Sequence, residues 1–397
     1  GVLFNQGALM LKAVPFAVGT DAPETALLDA TIEEVATSLA DSQEANGHWV
    51  YALEADATIP AEYILLNHYL DEINDETEGR IANHLRHIQS KDHGGWPLFH
   101  GGPFDMSASV KAYYALKMVG DDTEAPHMTR ARNAILRNGG AARANVFTRI
   151  TLALFGQVPW RACPLIRVEV LLAPNRSPLN LLKKVSYWSR TVMVPLLVLQ
   201  AVRPVATNPR GIGIQELFVI PPEEEKNWMH NPTGHWLGDI MILLDRAARY
   251  VGPYLPKFAQ QRAIDKAMKF IRERLNGEDG LGGIFPAMAN TLMAFNALGY
   301  ARDDPDYVAA RKAVDDLIVA NGDRAYVQPC LSPVWDTALA AHALLEAGLP
   351  GDDPVISRAS KWLADRQILD VKGDWSVNRP KVRPGGWAFQ YRNDYYP

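Results

Sequence analysis

The stretch Thr337-Ala-Leu-Ala-Ala-His-Ala-Leu-Leu-Glu-Ala-Gly348, followed by Asp352-Asp353, decides the fold class. Residues 110–120 and 290–299 have the same plan, in which an alanine-rich helix ends at a glycine and an acidic loop follows. Glycine is the expected residue just past a helix end, because it takes a positive φ without strain. The three stretches therefore predict helices that stop at defined points.

A second stretch with helical apolar periodicity follows each acidic loop, over residues 126–137, 307–320 and 355–367. The repeated unit is thus an αα-hairpin, and a weaker copy begins near Ala61. Such a hairpin cannot bury its apolar face alone, so the copies are expected to stack in series. Because strand signals are almost absent, the prediction is an all-α fold, either an open solenoid or a closed α/α barrel with an inner and an outer layer of helices.

Two further segments complete this organisation. The first clear helix is predicted over residues 32–43, with a capping box from Thr31 to Glu34 at its start. Residues 203–235 are rich in proline and glycine and predict a long irregular connection.

Glutamine and tryptophan recur together at the ends of predicted helices. A glutamine amide can cap a helix end while it lies against an indole face, so we expect these pairs to act as clamps between hairpins. The pairs are Gln43 with Trp49, Gln89 with Trp96 and, at a looser spacing, Gln367 with Trp375. Asp374 is assigned to the third clamp, and Asp336 is predicted to cap the N-terminus of a helix over residues 337–347.

Composition excludes several classes of protein. The chain has 397 residues and a formal charge of −5, so no bulk positive field exists to hold a nucleic-acid backbone. Cys163 and Cys330 are the only cysteines, too few for a disulfide framework, and they suggest a reducing compartment. The longest strongly apolar run, residues 191–202, is too short to cross the roughly 30 Å hydrocarbon core of a bilayer.

Several short motifs together resemble squalene–hopene cyclases, over nearly the whole chain. They are the Gln-x-x-x-Gly-x-Trp stretch at residues 43–49, Ser-Pro-Val-Trp-Asp-Thr at 332–337, Val-Phe-Thr-Arg at 146–149 and Gly-Gly-Trp-Ala-Phe at 385–389. The resemblance implies an α/α barrel (toroid) of stacked hairpins with Gln–Trp repeats, plus the beginning of a second α/α barrel. The implied domains are residues 36–320 as an inserted barrel, 321–397 as the first part of the catalytic barrel, and 1–35 as a segment associated with that second barrel.

The resemblance also implies the chemistry. Members of the family cyclise squalene to hopene and hopanol in hopanoid (triterpenoid) biosynthesis, by proton-initiated polycyclisation that needs no metal and no organic cofactor. Their Gly-Gly-Trp-Ala-Phe segment is followed by a catalytic Asp-x-Asp-Asp motif, which would begin just after Pro397. We therefore expect this chain to be a fragment that contains no catalytic acid and is inactive alone.

Seven residues match positions that line the family's substrate cavity. They are Trp188, Trp335, Phe389, Ile284, Phe285, Pro286 and Glu62. Phe285 stands where a glutamine is common in the family, and Lys111 replaces a glutamate. Asn145 and Thr151 replace an arginine and a tryptophan, so the polar end of the cavity is expected to differ from that of the best-known members.

Residues 255–275 predict a basic amphipathic helix, which suits an anionic membrane surface, although a solvated outer helix of a barrel has the same pattern. The predicted membrane contacts are Leu255, Phe258, Ile264, Met268 and Ile271. The resemblance implies peripheral, monotopic attachment to the cytoplasmic face of the bacterial membrane. The implied partners are squalene and the membrane surface, without nucleic acid, and a homodimer is left open.

Two alternatives stay open beside this interpretation. Another α/α-barrel isoprenoid enzyme, such as a zinc-dependent prenyltransferase β-subunit, would need an Asp, Cys and His zinc set. Neither cysteine has such neighbours, and His84 and His87 are predicted to lie on a helix surface. The second alternative, a non-enzymatic helical-repeat scaffold, would not require the Ser-Pro-Val-Trp-Asp and Gly-Gly-Trp-Ala-Phe motifs.

Overall fold

The computed structural model describes residues 24–174, 182, 185–228, 236–251, 256–371, 373–376, 381–393 and 395, and these are mostly helical. The helices are α1 (Glu24–Asp41), α2 (Thr58–Leu70), α3 (Asp75–His87), α4 (Met106–Val119), α5 (Pro126–Arg137), α6 (Val146–Leu154), α7 (Tyr187–Val202), α8 (Trp236–Val251), α9 (Lys257–Arg274), α10 (Phe285–Ala297), α11 (Pro305–Asp315), α12 (Pro333–Glu346) and α13 (Pro354–Ala364). Two short antiparallel hairpins join them, β1 (Leu275–Asn276) with β2 (Gly280–Leu281) and β3 (Ile318–Asn321) with β4 (Arg324–Val327).

The helices form two layers. In the inner layer α2 packs between α4 and α10, α10 packs on α7, and α6 contacts α4. In the outer layer α3 and α5 pack on α4, α9 packs on α7, and α11 packs on α10. Each hairpin therefore contributes an inner and an outer helix, as in an α/α toroid, and the all-α fold predicted from the hairpin pattern is confirmed.

The predicted helix stops coincide with left-handed residues. Gly120 ends α4 with φ +114°, and its N–H donates to the carbonyls of Leu116 and Lys117. Gly348 has φ +99° and follows α12 in the same way. A residue with a Cβ would be strained at either position, which is why the pattern could be recognised in the sequence.

Five local predictions are wrong, and in three of them, at Asp336, Gln367 and Asp374, the side chain contacts residues that are distant in sequence. Helix α1 begins before residue 32, so Thr31 lies inside it and its hydroxyl donates to the Leu27 carbonyl rather than capping a helix. Helix α12 begins at Pro333, which places Asp336 in its first turn, where it accepts the Tyr51 N–H at 3.0 Å. Residues 318–320 belong to β3 and not to the preceding helix.

The fourth correction concerns the glutamine clamps. The Gln89 amide donates to the carbonyls of Gly94 and His127, and the Trp96 indole N–H donates to the Leu85 carbonyl at 2.8 Å. The same arrangement recurs at residues 43–49, where Trp49 donates to the Leu39 carbonyl, and at the end of α13. In this third copy the Gln367 amide donates to the Gly385 carbonyl and the indole N–H of Trp387, not of Trp375, donates to the Leu363 carbonyl.

Asp374 lies outside the third clamp. Its carboxylate pairs instead with Arg274 at 2.7 Å and with Arg190 at 3.6 Å.

Two separate cores fill the described structure. The large core lies within the two helical layers and includes residues from Ala57 to Val327. A small core joins α1, α12 and α13 through Ala36, Trp49, Leu344 and Ile356. We call the first part the ring and the second part the α1–α12–α13 region. The domain boundaries derived from the sequence stay a prediction.

Candidate functional site

An apolar cavity of about 410 Å³ opens inside the ring. Five inner helices supply most of its wall, and on α2, α6, α7 and α10 the lining side chains recur at helical spacing. They include Leu65 and Leu66 of α2, Ile150 and Leu154 of α6, Val192 and Leu196 of α7, Ala289 and Met293 of α10, and Lys111 of α4. A cavity with such a wall is suited to an apolar ligand, because few polar groups would need desolvation.

Part of the cavity wall is polar. Lys111 is buried, and its ammonium group makes a short ion pair with the Glu62 carboxylate on the facing helix α2. Asn145, which caps α6 by accepting the Thr148 N–H, and Thr151 lie on the same wall. Lys111, Asn145 and Thr151 are three of the positions at which the sequence departs from the family pattern, and they lie on the wall of the same cavity as Glu62.

Of the seven predicted cavity residues, Glu62 and Pro286 line this cavity directly. Trp188 lies on α7 one turn before Val192, so it continues the same helix face. Its indole packs edge-on against the Phe389 ring, with the centroids 4.7 Å apart. The structure thus brings Trp188 and Phe389 together as an aromatic pair.

The sequence segments that contain the predicted cavity residues also lie next to one another in the structure. Ile284 forms a β-bridge with Cys330, and the Phe285 N–H donates to the Pro329 carbonyl at 2.8 Å. The Val334 N–H donates to the Phe389 carbonyl. The glycine turn before Ile284, the segment at 329–335 and the segment at 385–390 are therefore held side by side by main-chain hydrogen bonds.

The other three predicted cavity residues, Ile284, Phe285 and Trp335, do not line this cavity. Phe285 is fully buried in the large core, and Ile284 is partly buried against it. Trp335 is 62% exposed on α12, apart from the cavity inside the ring. Its assignment to the substrate cavity stays a prediction.

Sequence reasoning missed most of the residues that line the cavity, among them Asp56, Leu98 and Phe147. Asp56 precedes α2 and accepts the Thr58 N–H at 2.6 Å, while Leu98 and Phe147 are half-exposed apolar side chains at the cavity wall. Asp56 could have been found as an acidic residue directly before a helix, where it is stabilised by main-chain N–H groups. Leu98 has no such signal, because it lies in an irregular loop.

In α9, the predicted membrane helix, most of the predicted membrane contacts lie on the buried face. Ile264, Met268 and Ile271 are buried in the large core, because this face of α9 packs on α7; their assignment as membrane contacts is wrong. Phe258 is 63% exposed, and Leu255 lies outside the described residues. In the part of the chain that the structure describes, no helix is both long enough and apolar enough to span a bilayer.

His84 and His87, the two histidines considered for a zinc site, do not lie together on the protein surface. His84 is buried beside Tyr326, with the ring centroids 5.5 Å apart, and burial lowers its pKa, whereas His87 is exposed. Among the residues that the structure describes, no group of three or more His, Cys, Asp or Glu side chains could hold a metal ion.

Burial raises the pKa of the Cys163 thiol to about 12.

A small polar junction joins the ring to the α1–α12–α13 region. His48 Nε2 lies 2.9 Å from the Tyr391 hydroxyl, and its ring stacks on Trp362 at 4.9 Å. The N–H groups of Tyr391 and Arg392 donate to the two oxygens of Asp279, which precedes β2. Burial lowers the pKa of His48 to about 4 and raises that of Asp279 to about 6.

Comparison with known proteins gives two family matches. A family described as the squalene-hopene cyclase N-terminal domain matches residues 32–323, and one described as the squalene-hopene cyclase C-terminal domain matches residues 331–397.

Three relatives illustrate the similarity. A squalene–hopene cyclase of Zymomonas mobilis is 54% identical over 375 residues, which cover 92% of this chain and 56% of the relative. One of Bradyrhizobium diazoefficiens is 51% identical, covering 94% and 57%, and one of Alicyclobacillus acidocaldarius is 35% identical, covering 92% and 57%. The chain spans about half the length of the curated relatives that it matches.

Proposed function

This chain belongs to the squalene–hopene cyclase family, and from that premise we propose that it supplies part of the cavity in which squalene is cyclised to hopene or hopanol. The observation that carries the proposal is the cavity inside the ring, whose wall is mostly apolar. The reaction begins when a strong acid protonates a terminal double bond. The positive charge then moves along the folded hydrocarbon as each new ring closes.

The cavity wall supports this chemistry in two ways. Its side chains are mostly aliphatic, so few nucleophiles are present to trap the cation early. The edge-on pair of Trp188 and Phe389 offers aromatic faces beside the wall. A cation over such a face gains roughly 0.5–2 kcal/mol when water is excluded.

Blocking the cavity tests the proposal. Ala289 is a buried lining residue of α10, and Ala289→Phe would fill the space that the hydrocarbon needs. In the product of the complete open reading frame that encodes this chain, we expect squalene turnover to fall by about tenfold or more. Ala343→Phe, at an exposed position of α12, is the matched control. Equal turnover in the two variants would contradict the assignment of the cavity.

We also propose peripheral attachment to the cytoplasmic face of the bacterial membrane, which would give a water-insoluble substrate access to the enzyme. Support comes from α8, whose exposed Trp236, Ile240 and Leu243 share one helix face, and from exposed Phe258 at the start of α9. The free thiols of Cys163 and Cys330 suit a reducing compartment.

Vesicle sedimentation tests the membrane proposal. Ile240→Glu with Leu243→Glu should lower the bound fraction severalfold, because two charges would have to enter the interface. Val308→Glu, an exposed position on α11, is the control and should bind like the parent protein. Unchanged binding of the double variant would exclude this face.

The hairpins are proposed to be copies of one repeated unit, with residues 36–320 as an inserted barrel and residues 321–397 as the start of a second. The recurring clamp geometry and the two separate cores support this division.

A further inference from the structure

The turn between β1 and β2 binds the main chain of residues 390–392. Asp279, in this turn, is 6% exposed, and its two carboxylate oxygens accept the N–H groups of Tyr391 at 3.3 Å and of Arg392 at 2.7 Å. The Asn276 side chain donates to the Arg392 carbonyl at 3.0 Å. Two side chains of the turn therefore hold this short segment through three hydrogen bonds, much as a neighbouring strand would through its main chain.

The turn also fixes its own shape. The Asn276 side-chain oxygen accepts the N–H groups of Glu278 at 3.0 Å and of Asp279 at 2.7 Å. Such a turn restrains where the Asp279 carboxylate points. Further along, Gly283 has φ +67°, and a Cβ there would lie 3.1 Å from the side-chain nitrogen of Gln390. The turn and the segment are thus closely matched at two places.

Both partners of this contact lead to the candidate site. On one side, the chain runs from Asp279 through β2 to Pro286, which lines the cavity. On the other side, Phe389 directly precedes residues 390–392, and its ring packs against Trp188 with the centroids 4.7 Å apart. Asp279 does not itself line the cavity, so it can act on a bound hydrocarbon only through its neighbours.

The ionised side chain of Asp279 is costly at this buried position. Burial raises its pKa to about 6, against the lowering effect of the two N–H groups; Glu278 raises the pKa further and Arg366 lowers it. At neutral pH the carboxylate is nevertheless charged, and both oxygens accept hydrogen bonds. An amide or a protonated carboxyl group presents only one good acceptor. A buried carboxylate of this kind beside a cavity is typical of a functional residue.

We propose that Asp279 is a positioning residue, which sets the place of Phe389 against Trp188 by holding the main chain of residues 391–392; the inference rests on the proposed cyclase function. A hydrocarbon that reacts in the cavity must be kept in one folded shape, and a displacement of about 1 Å in its surroundings is costly to the rate. Loosening the hold would let Phe389 move relative to the cavity wall. Squalene turnover should then fall although the protein stays folded.

The first test replaces the carboxylate in the product of the complete open reading frame that encodes this chain. Asp279→Asn keeps the size of the side chain but turns an amide nitrogen toward one of the two N–H groups, so one hydrogen bond is lost. Squalene turnover at neutral pH should fall by about tenfold. The far-ultraviolet circular dichroism spectrum should remain that of the parent protein.

The pH dependence distinguishes this role from a general loss of stability. In the parent protein the Asp279 side chain loses its charge below about pH 6, so the parent should then come to resemble Asp279→Asn. The ratio of parent to variant turnover should fall from about ten at neutral pH toward one near pH 5. Groups that both proteins share cancel in this ratio. A ratio that stays constant over this range would contradict the role of the carboxylate.

A double-variant cycle tests whether Asp279 acts through Phe389. Phe389→Leu removes the aromatic ring from the pair with Trp188. Adding Asp279→Asn to this variant should change turnover by less than about twofold. A further tenfold loss would show that the two residues act independently, and it would overturn the inference.

Asp304→Asn is the matched control. Asp304 also accepts a main-chain N–H, that of Asp306 at 2.9 Å, but it precedes α11 and does not line the cavity. Turnover by this variant should equal that of the parent protein.

Unchanged turnover in Asp279→Asn would overturn the inference while leaving the proposed function intact. If this variant does not fold, Asn276→Ala takes its place, because it removes the bond to the Arg392 carbonyl. Unchanged turnover in Asn276→Ala would then overturn the inference. Failure of the parent protein to convert squalene would overturn the proposed function and the inference together.

Discussion

The Gln89–Trp96 clamp of the ring and the Gln43–Trp49 clamp of the α1–α12–α13 region make the same hydrogen bonds in different surroundings. In both, the indole N–H donates to a helix carbonyl at 2.8 Å, and the glutamine amide donates to two carbonyls. Trp96 belongs to the large core, whereas Trp49 belongs to a core of a few residues. Local sequence therefore sets the contacts, and the surrounding core sets how much they stabilise the fold.

Trp96→Ala should cause the largest loss of stability among the clamp variants. The side chain is fully buried in the large core, and the ring has little freedom to collapse around the space that is left. We expect the free energy of unfolding to fall by about 4 kcal/mol, measured by urea denaturation. Trp387→Ala, in the third clamp, is the control, because Trp387 is 40% exposed and should lose about 1 kcal/mol or less. Similar losses in the two variants would contradict the role of the core.

Trp49→Ala should cause the next largest loss in the free energy of unfolding. Trp49 is equally buried, but its core is small and leaves Val35 and Leu339 exposed nearby, so the site can relax more easily. We expect a loss of about 2–3 kcal/mol, with the α1–α12–α13 region unfolding before the ring. Hydrogen exchange would resolve the two regions. A loss greater than that of Trp96→Ala would contradict the stronger stabilisation expected from the large core.

Replacing the two clamp glutamines should destabilise the fold in the same order as replacing the tryptophans, but by smaller amounts. Removing the buried Gln89 amide leaves the carbonyls of Gly94 and His127 without this donor, so Gln89→Ala should cost about 2 kcal/mol. Gln43→Ala should cost about 1 kcal/mol, because water reaches that clamp more easily. Thermal unfolding measures both. Gln261→Ala, which removes an exposed bond to Asp265, should be close to neutral; a cost equal to that of Gln89→Ala would show that burial is not the cause.

The smallest expected change in stability comes from the polar junction between the ring and the α1–α12–α13 region, and it depends on pH. Because the pKa of His48 falls to about 4 from 6.5 on folding, its contribution to stability is lost as the pH drops from 6.5 toward 4. The pKa of Asp279 rises from 3.8 to about 6, so its contribution grows as the pH drops from 6 toward 3.8. The two contributions oppose each other between pH 4 and 6.

Single substitutions separate these contributions. Relative to the parent protein, His48→Gln should gain about 1 kcal/mol as the pH falls through this window, and Asp279→Asn should lose about as much. Urea denaturation at several pH values measures the slopes. Slopes of the same sign in both variants would contradict the assignment.

Much of the fold could be predicted because its signals are local. A glycine that ends a helix, as at Gly120, and a second helix after an acidic loop depend on neighbouring residues alone, so α5 has the predicted bounds. The third clamp could not be predicted, because Gln367 reaches Gly385 across a segment whose path the sequence does not give. Asp336 was assigned as a cap for the same reason, since its partner Tyr51 is distant in sequence.

The candidate site was predictable only where a motif marked it. Glu62 and Pro286 line the cavity and Trp188 meets Phe389, all positions that the family resemblance had indicated. The contact of Lys111 with Glu62 needs the packing of α4 on α2, which spacing along the chain does not supply. The periodicity of α9 correctly indicated an apolar stripe, but burial in the ring and membrane contact give the same pattern.

The most direct test of the central claim is incubation of squalene with the product of the complete open reading frame, followed by mass spectrometry of the lipid extract. If the ring cavity holds the substrate, the extract should contain an isomer of squalene together with its hydrate, and both should be lost in the Ala289→Phe variant. Recovery of squalene unchanged, from a preparation in which the parent protein is folded, would contradict it.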